Sequence, residues 1–193
     1  MNTQVDTRGR GLPSWLTLVL GVLLGATIMF VGLARAGRIA PPPQPEVLVS
    51  LAQTLEVEHR RVDLLVEQGK FAEAITVLDS LRSIEWPTRA VAGDEAVILR
   101  HDVYGRLLRL QLDHPELEVA KADAELLTIA EEARSEDAAG VRTNAFTARL
   151  VALRGELLQK QGRDDDALTA YESALEMNRA LLQQALAGAG GTP

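Results

Sequence analysis

Apolar and polar positions alternate along most of this chain with the period of an α-helix. After Pro45 the apolar side chains recur every three or four residues, with charged side chains between them, and this spacing places them on one face of an amphipathic helix. No segment shows the two-residue alternation of a half-buried strand, so the sequence predicts an all-α protein. The apolar positions of the first such helix are Val47, Leu48, Leu51, Leu55, Val62 and Leu65.

Glycine and proline mark the turns between paired segments of the helical pattern. Gly69 and Gly162 each follow an apolar-periodic run, where glycine favours a helix C-terminus. Pro115 interrupts the pattern between them. We therefore expect three helical hairpins in residues 46–187. The expected helices run from Val47 to near Gly69, from about Phe71 to Ile84, Ala90 to Leu112, Glu116 to Arg134, Asp137 to Gln161 and Asp164 to Ala187.

The three hairpins show an internal repeat. Gly69, Pro115 and Gly162 fall in one column, at spacings of 46 and 47 residues, and an alanine follows each of them by five residues. Self-similarity of this kind is typical of helical-repeat proteins, in which each hairpin stacks on the next. The alanines, at Ala74, Ala120 and Ala167, are expected to let paired helices approach closely.

Two segments resemble the tetratricopeptide repeat (TPR) family. Residues 162–178 (GRDDDALTAYESALEMN) are similar to the second helix of such a repeat. The family's small and large packing positions are occupied by Gly155 in the preceding helix and by Gly162, Ala167, Tyr171 and Ala174. Residues 69–81 (GKFAEAITVLDSL) match less fully, because Val62 stands where a small residue belongs. Family repeats are about 34 residues long, so the longer spacing here implies a divergent member. The resemblance implies a right-handed α-solenoid of about three hairpins.

In the family, the first helices of the repeats line a concave groove that binds a peptide or a partner helix. The resemblance places six residues of this chain there, and a carboxylate-clamp activity is not expected because His59 and Asp63 replace the clamp's first Lys and Asn. The predicted groove residues are His59, Asp63, Asp102, Arg109, Arg149 and Glu156.

The first 45 residues carry a different pattern. Residues 15–34 contain no charged side chain, and as a helix they would extend about 30 Å, the thickness of a bilayer's hydrocarbon core. We expect an N-terminal tail at 1–11, a transmembrane signal anchor at 12–34 and a proline-rich linker at 35–45. Gly21, Gly25 and Gly32 have the spacing of a helix-packing face in membranes. The small-x-small sequence Ala34-Arg35-Ala36 has the form that signal peptidase accepts, so the alternative is a soluble protein that is secreted after cleavage there.

Composition and charge narrow the classes of function. The net charge is −7, and the N-terminal 45 residues carry +3, so the remainder carries −10. An acidic domain lacks the basic surface that nucleic acids need. The absence of cysteine excludes disulfides and thiolate chemistry. No phosphate-loop or nucleophile-elbow motif occurs, and the three histidines lack metal-ligand spacing. We expect no catalytic, cofactor or metal site.

These observations predict a non-enzymatic scaffold, anchored in a bacterial inner membrane with its helical domain on the periplasmic side and residues 188–193 as a disordered tail. It would bind a protein partner as an accessory component of an assembly or secretion complex. Association with further copies of the same chain is a second possibility. One alternative is a structural subunit recognised through the transmembrane helix. Another is a small-ligand site or a weak enzymatic activity between repeats, for example around His101, Asp102 and Arg109.

Overall fold

The computed structural model describes residues 45–134 and 140–189. Within these residues the chain forms helices and no strand, which confirms the all-α prediction. The predicted tail, transmembrane helix and most of the linker lie outside them, as do Gly21, Gly25 and Gly32. The helices are α1 (Pro45–Glu67), α2 (Phe71–Arg82), α3 (Arg89–Asp113), α4 (Asp123–Ala133), α5 (Ala145–Lys160) and α6 (Asp164–Ala189).

The six helices form three hairpins that pack side by side. Each odd-numbered helix packs against the even-numbered helix that follows it, and α3 and α5 also pack against the even-numbered helix before them. α3 packs against both α1 and α5, so these three helices form a layer with α3 in the middle. This arrangement buries a continuous apolar core, which includes Leu55, Ile75, Leu78, Leu107, Leu108, Leu126, Leu150, Leu157 and Leu158.

The first and third hairpins turn in the same way. Gly69 has φ +72° and Gly162 has φ +70°, the left-handed conformation that glycine adopts without strain. The residue after each glycine donates its N–H to a carbonyl five residues earlier: Lys70 to Leu65 at 2.8 Å, and Arg163 to Leu158 at 3.0 Å. These bonds satisfy carbonyls at the end of the first helix, which the helix itself leaves unpaired. The predicted turns at both glycines are therefore present.

The middle hairpin differs from the predicted repeat. α4 begins at Asp123, seven residues later than expected, and Ala120 lies in the loop instead of in the helix. The loop after α3 is held by the side chain of Gln111, which accepts from the N–H of Lys121 at 2.8 Å and donates to the carbonyl of Val119 at 3.3 Å. These bonds satisfy backbone groups of the loop that a helix would otherwise have paired. The next helix therefore begins eight residues after Pro115, whereas it begins two residues after Gly69 and Gly162.

Two further boundaries differ from the predicted ones. α5 begins at Ala145 and not at Asp137, because Asn144 caps it by accepting the N–H of Thr147 at 2.9 Å. α6 continues through Gly188 and Ala189, two residues into the segment predicted to be a disordered tail.

α3 also contains a break, since Gly93 has φ +73° and ψ −169°, which no α-helix accommodates.

Candidate functional site

The layer of α1, α3 and α5 brings the six predicted groove residues onto neighbouring helices. His59 and Asp63 lie on α1, Asp102 and Arg109 on α3, and Arg149 and Glu156 on α5. Their contacts join residues 43 apart between α1 and α3 and residues 47 apart between α3 and α5. Because the offset stays constant along each pair of helices, the three helices run parallel. The predicted residues therefore share one face.

Asp102 is the centre of this face. Its carboxylate accepts from Arg149 Nη2 on α5 at 2.5 Å and from Arg106 Nε on its own helix at 3.3 Å. Its other oxygen lies 3.6 Å from His59 Nδ1 on α1. The side chain is only 7% exposed, and a buried carboxylate is stable only when it is paired and hydrogen-bonded. Asp102 thus links all three helices of the layer.

Two more ion pairs cross between the helices. Arg106 Nη1 lies 2.9 Å from Asp63 Oδ1, and Arg109 Nη1 lies 3.1 Å from Glu156 Oε2. Arg109 also pairs with Asp113 on its own helix, and these carboxylates keep the pKa of Arg109 above its usual value. Arg106 was not predicted for this face, although its position four residues after Asp102 indicates a neighbouring side chain on the same helix surface.

A hollow of about 200 Å³ opens between these helices. Its lining has an apolar part, here called the floor, which consists of Val62, Val66 and Leu110, and a charged part, here called the walls. Asp63, Arg106, Arg109 and Arg149 form those walls. Three of the six predicted groove residues therefore line one hollow, and apolar floors with polar rims are typical of sites that accept a ligand or a partner side chain.

A second hollow of about 210 Å³ lies on the same layer, toward the N-terminal ends of α1 and α3. It is lined mainly by apolar side chains, with Glu95 and Arg142 at its edge, and these two residues form an ion pair of 2.8 Å. The remaining lining residues are Leu48, Ala52, Ile98 and Leu99. The Asp102 cluster lies between the two hollows along α3.

His59 has an unusual environment beside Asp102. Its Nε2 is buried and has no hydrogen-bond partner among the residues that the structure describes. Burial lowers the pKa of His59 first, and the positive charge of Arg106 lowers it further, while Asp102 and Asp63 act in the opposite direction. The neutral imidazole is therefore favoured here.

His101, next to Asp102 in the sequence, belongs to a different part of the molecule. It is 1% exposed, and its Nε2 lies 3.0 Å from the carbonyl oxygen of Ala133, which can only accept. Nε2 therefore carries the proton, and in the neutral ring Nδ1 accepts from Thr147 Oγ1 at 2.8 Å. Burial lowers the pKa of His101. His101 thus joins the C-terminus of α4 to the start of α5.

The alternative of a ligand site around His101, Asp102 and Arg109 does not fit this geometry. His101 borders a separate cavity of about 320 Å³ with Thr147, Arg134 and Met177, while Arg109 borders the hollow between α1, α3 and α5. Adjacent helical residues point about 100° apart, which explains why neighbours in sequence serve different surfaces. The three residues do not converge on one site.

Comparison with known proteins does not assign the chain to a family. No family profile, curated protein or solved structure matches it. The geometry of the α1–α3–α5 face therefore carries the functional argument by itself.

Two further properties concern the parts of the chain that the structure describes. Residues 45–134 and 140–189 contain no cluster of three or more His, Asp or Glu side chains arranged to hold a metal ion. None of their helices is long and apolar enough to cross a membrane.

The third histidine, His114, stacks on Phe71 with ring centroids 3.8 Å apart.

Proposed function

We propose that the protein is a membrane-anchored, TPR-like scaffold whose α1–α3–α5 face binds a protein partner near the bilayer. The observation that carries this proposal is the hollow with an apolar floor of Val62, Val66 and Leu110 and charged walls. A partner helix or extended peptide can place an apolar side chain on such a floor and pair polar groups with the walls. In this proposal the protein is an accessory component of an assembly or secretion complex.

The electrostatics of the face favour a partner with charges of both signs. Arg149 is 42% exposed and Asp63 is 58% exposed, so both retain surface for a second contact although each already has an ion pair. Asp102 is covered by its partners, and its ion pairs hold their side chains in place. The face thus presents a fixed array of charges on parallel helices, which favours one orientation of a bound segment.

Anchoring is proposed from residues 12–34, with the helical domain outside the cytoplasm. An anchor restricts the scaffold to the membrane surface, which raises the effective concentration of membrane-bound partners. The alternative of a protein secreted after cleavage at Ala34-Arg35-Ala36 makes a different prediction, since the mature chain would then be found in the soluble fraction. Membrane fractionation with N-terminal sequencing separates the two.

Site-specific photo-crosslinking in the native membrane tests the binding face. A photo-reactive residue at Asp63 lies at the wall of the hollow, whereas one at Glu73, exposed on α2, lies on the other layer. We expect one heterologous adduct from position 63 and none from position 73. The adduct should be lost when Val66 is changed to Ser, because that change removes part of the apolar floor. Equal labelling from both positions, or none from 63, would contradict the proposal.

A further inference from the structure

The last helix, α6, is longer than the helix it packs against. α6 contains 26 residues and α5 contains 16, which corresponds to lengths of about 39 and 24 Å. Every residue of α6 from Leu182 to Ala189 is exposed. The C-terminal turns of α6 are therefore not covered by the rest of the helical domain that the structure describes.

One surface of α6 carries exposed leucines in a row. Leu168, Leu175, Leu182 and Leu186 are 59%, 49%, 60% and 64% exposed. Their spacings of seven, seven and four residues keep them within an arc of about 40° at about 100° per residue. They form a narrow stripe along the helix. A single exposed leucine is ordinary, but a row at heptad spacing is the pattern by which two helices pack together.

The leucine stripe also contains two charged residues. Glu172 lies between Leu168 and Leu175, and Arg179 lies between Leu175 and Leu182. Both are exposed, and neither forms an ion pair with the residues described at 45–134 and 140–189. Most other arginines of the domain do have such a partner, for example Arg154 with Glu131 at 2.5 Å.

From Leu168 to Leu182 the order of residues along the leucine stripe is self-complementary when reversed, and Leu186 lies beyond this matched segment. A second α6 running antiparallel, with the twofold axis at Leu175, sets Leu168 opposite Leu182 of the other copy and Glu172 close to its Arg179. In a parallel pair each of these charges would lie opposite its own kind, which is destabilising. A twofold axis requires the same patch on both copies, and only the antiparallel arrangement pairs the charges.

We propose that the protein forms an antiparallel homodimer through the leucine stripe of α6. The occupant is a second copy of this chain, because the stripe supplies both the apolar contacts and the opposite charges that such a partner needs. A membrane surface fits less well, since the stripe is narrow and two charges interrupt it, whereas interfacial helices have a broad apolar face. The contact is one helix wide, so we expect a dissociation constant of about 1–100 µM, typical of small interfaces.

Cysteine crosslinking of the full-length protein tests both the contact and its direction, because the natural chain has no cysteine. Leu175→Cys should form a disulfide-linked homodimer on oxidation, since the two copies of residue 175 meet at the twofold axis. Leu168→Cys and Leu182→Cys should crosslink with each other in a mixture but not with themselves. Self-crosslinking at all three positions would indicate a parallel pair and overturn the proposal.

Charge exchange supplies an independent test by sedimentation equilibrium of the full chain. Glu172→Arg and Arg179→Glu, each alone, should weaken dimerisation at least tenfold, and the double exchange should restore it. Restoration is expected only for an antiparallel pair, because a parallel pair repels equally before and after the double exchange. A monomer at all concentrations, or a dimer that Leu175→Asp leaves unchanged, would also refute the proposal, the latter by locating the contact elsewhere, as at Gly21 and Gly25.

Discussion

Tyr171 of α6 lies directly over Gly155 of α5, so closely that a methyl group on Gly155 would be 2.8 Å from the ring carbon Cε1. The equivalent pair in the first hairpin is Val62 and Leu78, 93 residues earlier, which are 2% and 0% exposed. One hairpin thus has a glycine and a large ring at these two positions, and the other has a larger aliphatic residue and a smaller partner at the equivalent positions. The repeat divides side-chain volume differently between the same two positions.

Replacing Gly155 with Ala is expected to destabilise the fold. Alanine is normally favoured over glycine inside a helix by about 1 kcal/mol, but overpacking costs about 1–3 kcal/mol. The difference between these two effects is a net loss of up to about 2 kcal/mol in the free energy of unfolding, measured by urea titration. Gly188→Ala is the control, since no atom lies within 4 Å of the added methyl, and it should be neutral or slightly stabilising.

The same pair permits a compensation test. Tyr171→Leu shortens the side chain over Gly155 and should relieve the clash of Gly155→Ala, so the double variant should lose less stability than the sum of the two single changes. Strict additivity of the two losses would show that the ring does not limit the space at Gly155.

Asp102 is expected to contribute more to stability than Asp63, although both accept from Arg106. Asp102→Ala removes a buried carboxylate that joins three helices and leaves Arg106 and Arg149 without that partner. We expect a loss of about 2–4 kcal/mol. Asp63 is 58% exposed, and its pair with Arg106 is screened by solvent, so Asp63→Ala should cost less than about 1 kcal/mol. Equal losses in chemical denaturation would contradict the central role of Asp102.

Stability should fall on acidification because of His101. The folded protein holds the pKa of His101 below the 6.5 of the unfolded chain, mainly by burial. Below pH 6.5 the unfolded chain therefore binds a proton that the folded protein does not, and stability decreases until the pH passes the folded pKa. His59, whose pKa is also lowered, acts in the same direction. Urea midpoints measured across this range should show the decrease.

The variant His101→Gln isolates the contribution of that residue. It should be less stable at neutral pH, because Thr147 Oγ1 and the carbonyl of Ala133 lose their hydrogen bonds to the imidazole, but its stability should depend less on pH than that of the natural protein. An unchanged slope would assign the pH dependence to other groups, of which His59 is the first to examine.

Gln111 should control the order of the loop between α3 and α4. Gln111→Leu keeps the volume but removes both bonds to the loop, and leaving the N–H of Lys121 and the carbonyl of Val119 without this partner should cost about 1–3 kcal/mol. Limited proteolysis should then cut residues 114–122 sooner. Gln161, an exposed side chain that bonds the carbonyl of Asp123 at 3.2 Å, supplies the control Gln161→Leu, which should not change cutting of this loop.

Local chemistry made part of the fold predictable. Helical periodicity depends on side chains three and four residues apart, so it identified α1, α2, α3 and α6 nearly in full. The turns at Gly69 and Gly162 were predictable because the left-handed conformation is a property of glycine itself. The loop between α3 and α4 was not predictable, since the backbone of residues 114–122 depends on the side chain of Gln111, and the helical period contains no information about that contact.

The sequence by itself therefore determined the helical class, the three hairpins and the residues that share one face of each helix, because these follow from contacts within a few residues. Only the tertiary structure decided which charges meet. Arg106 reaches Asp63, and Arg149 reaches Asp102, across 43 and 47 residues of chain. Such pairs depend on the register between packed helices, which is set by the volumes of core side chains such as Gly155 and Tyr171, and a periodic pattern contains no information about that register.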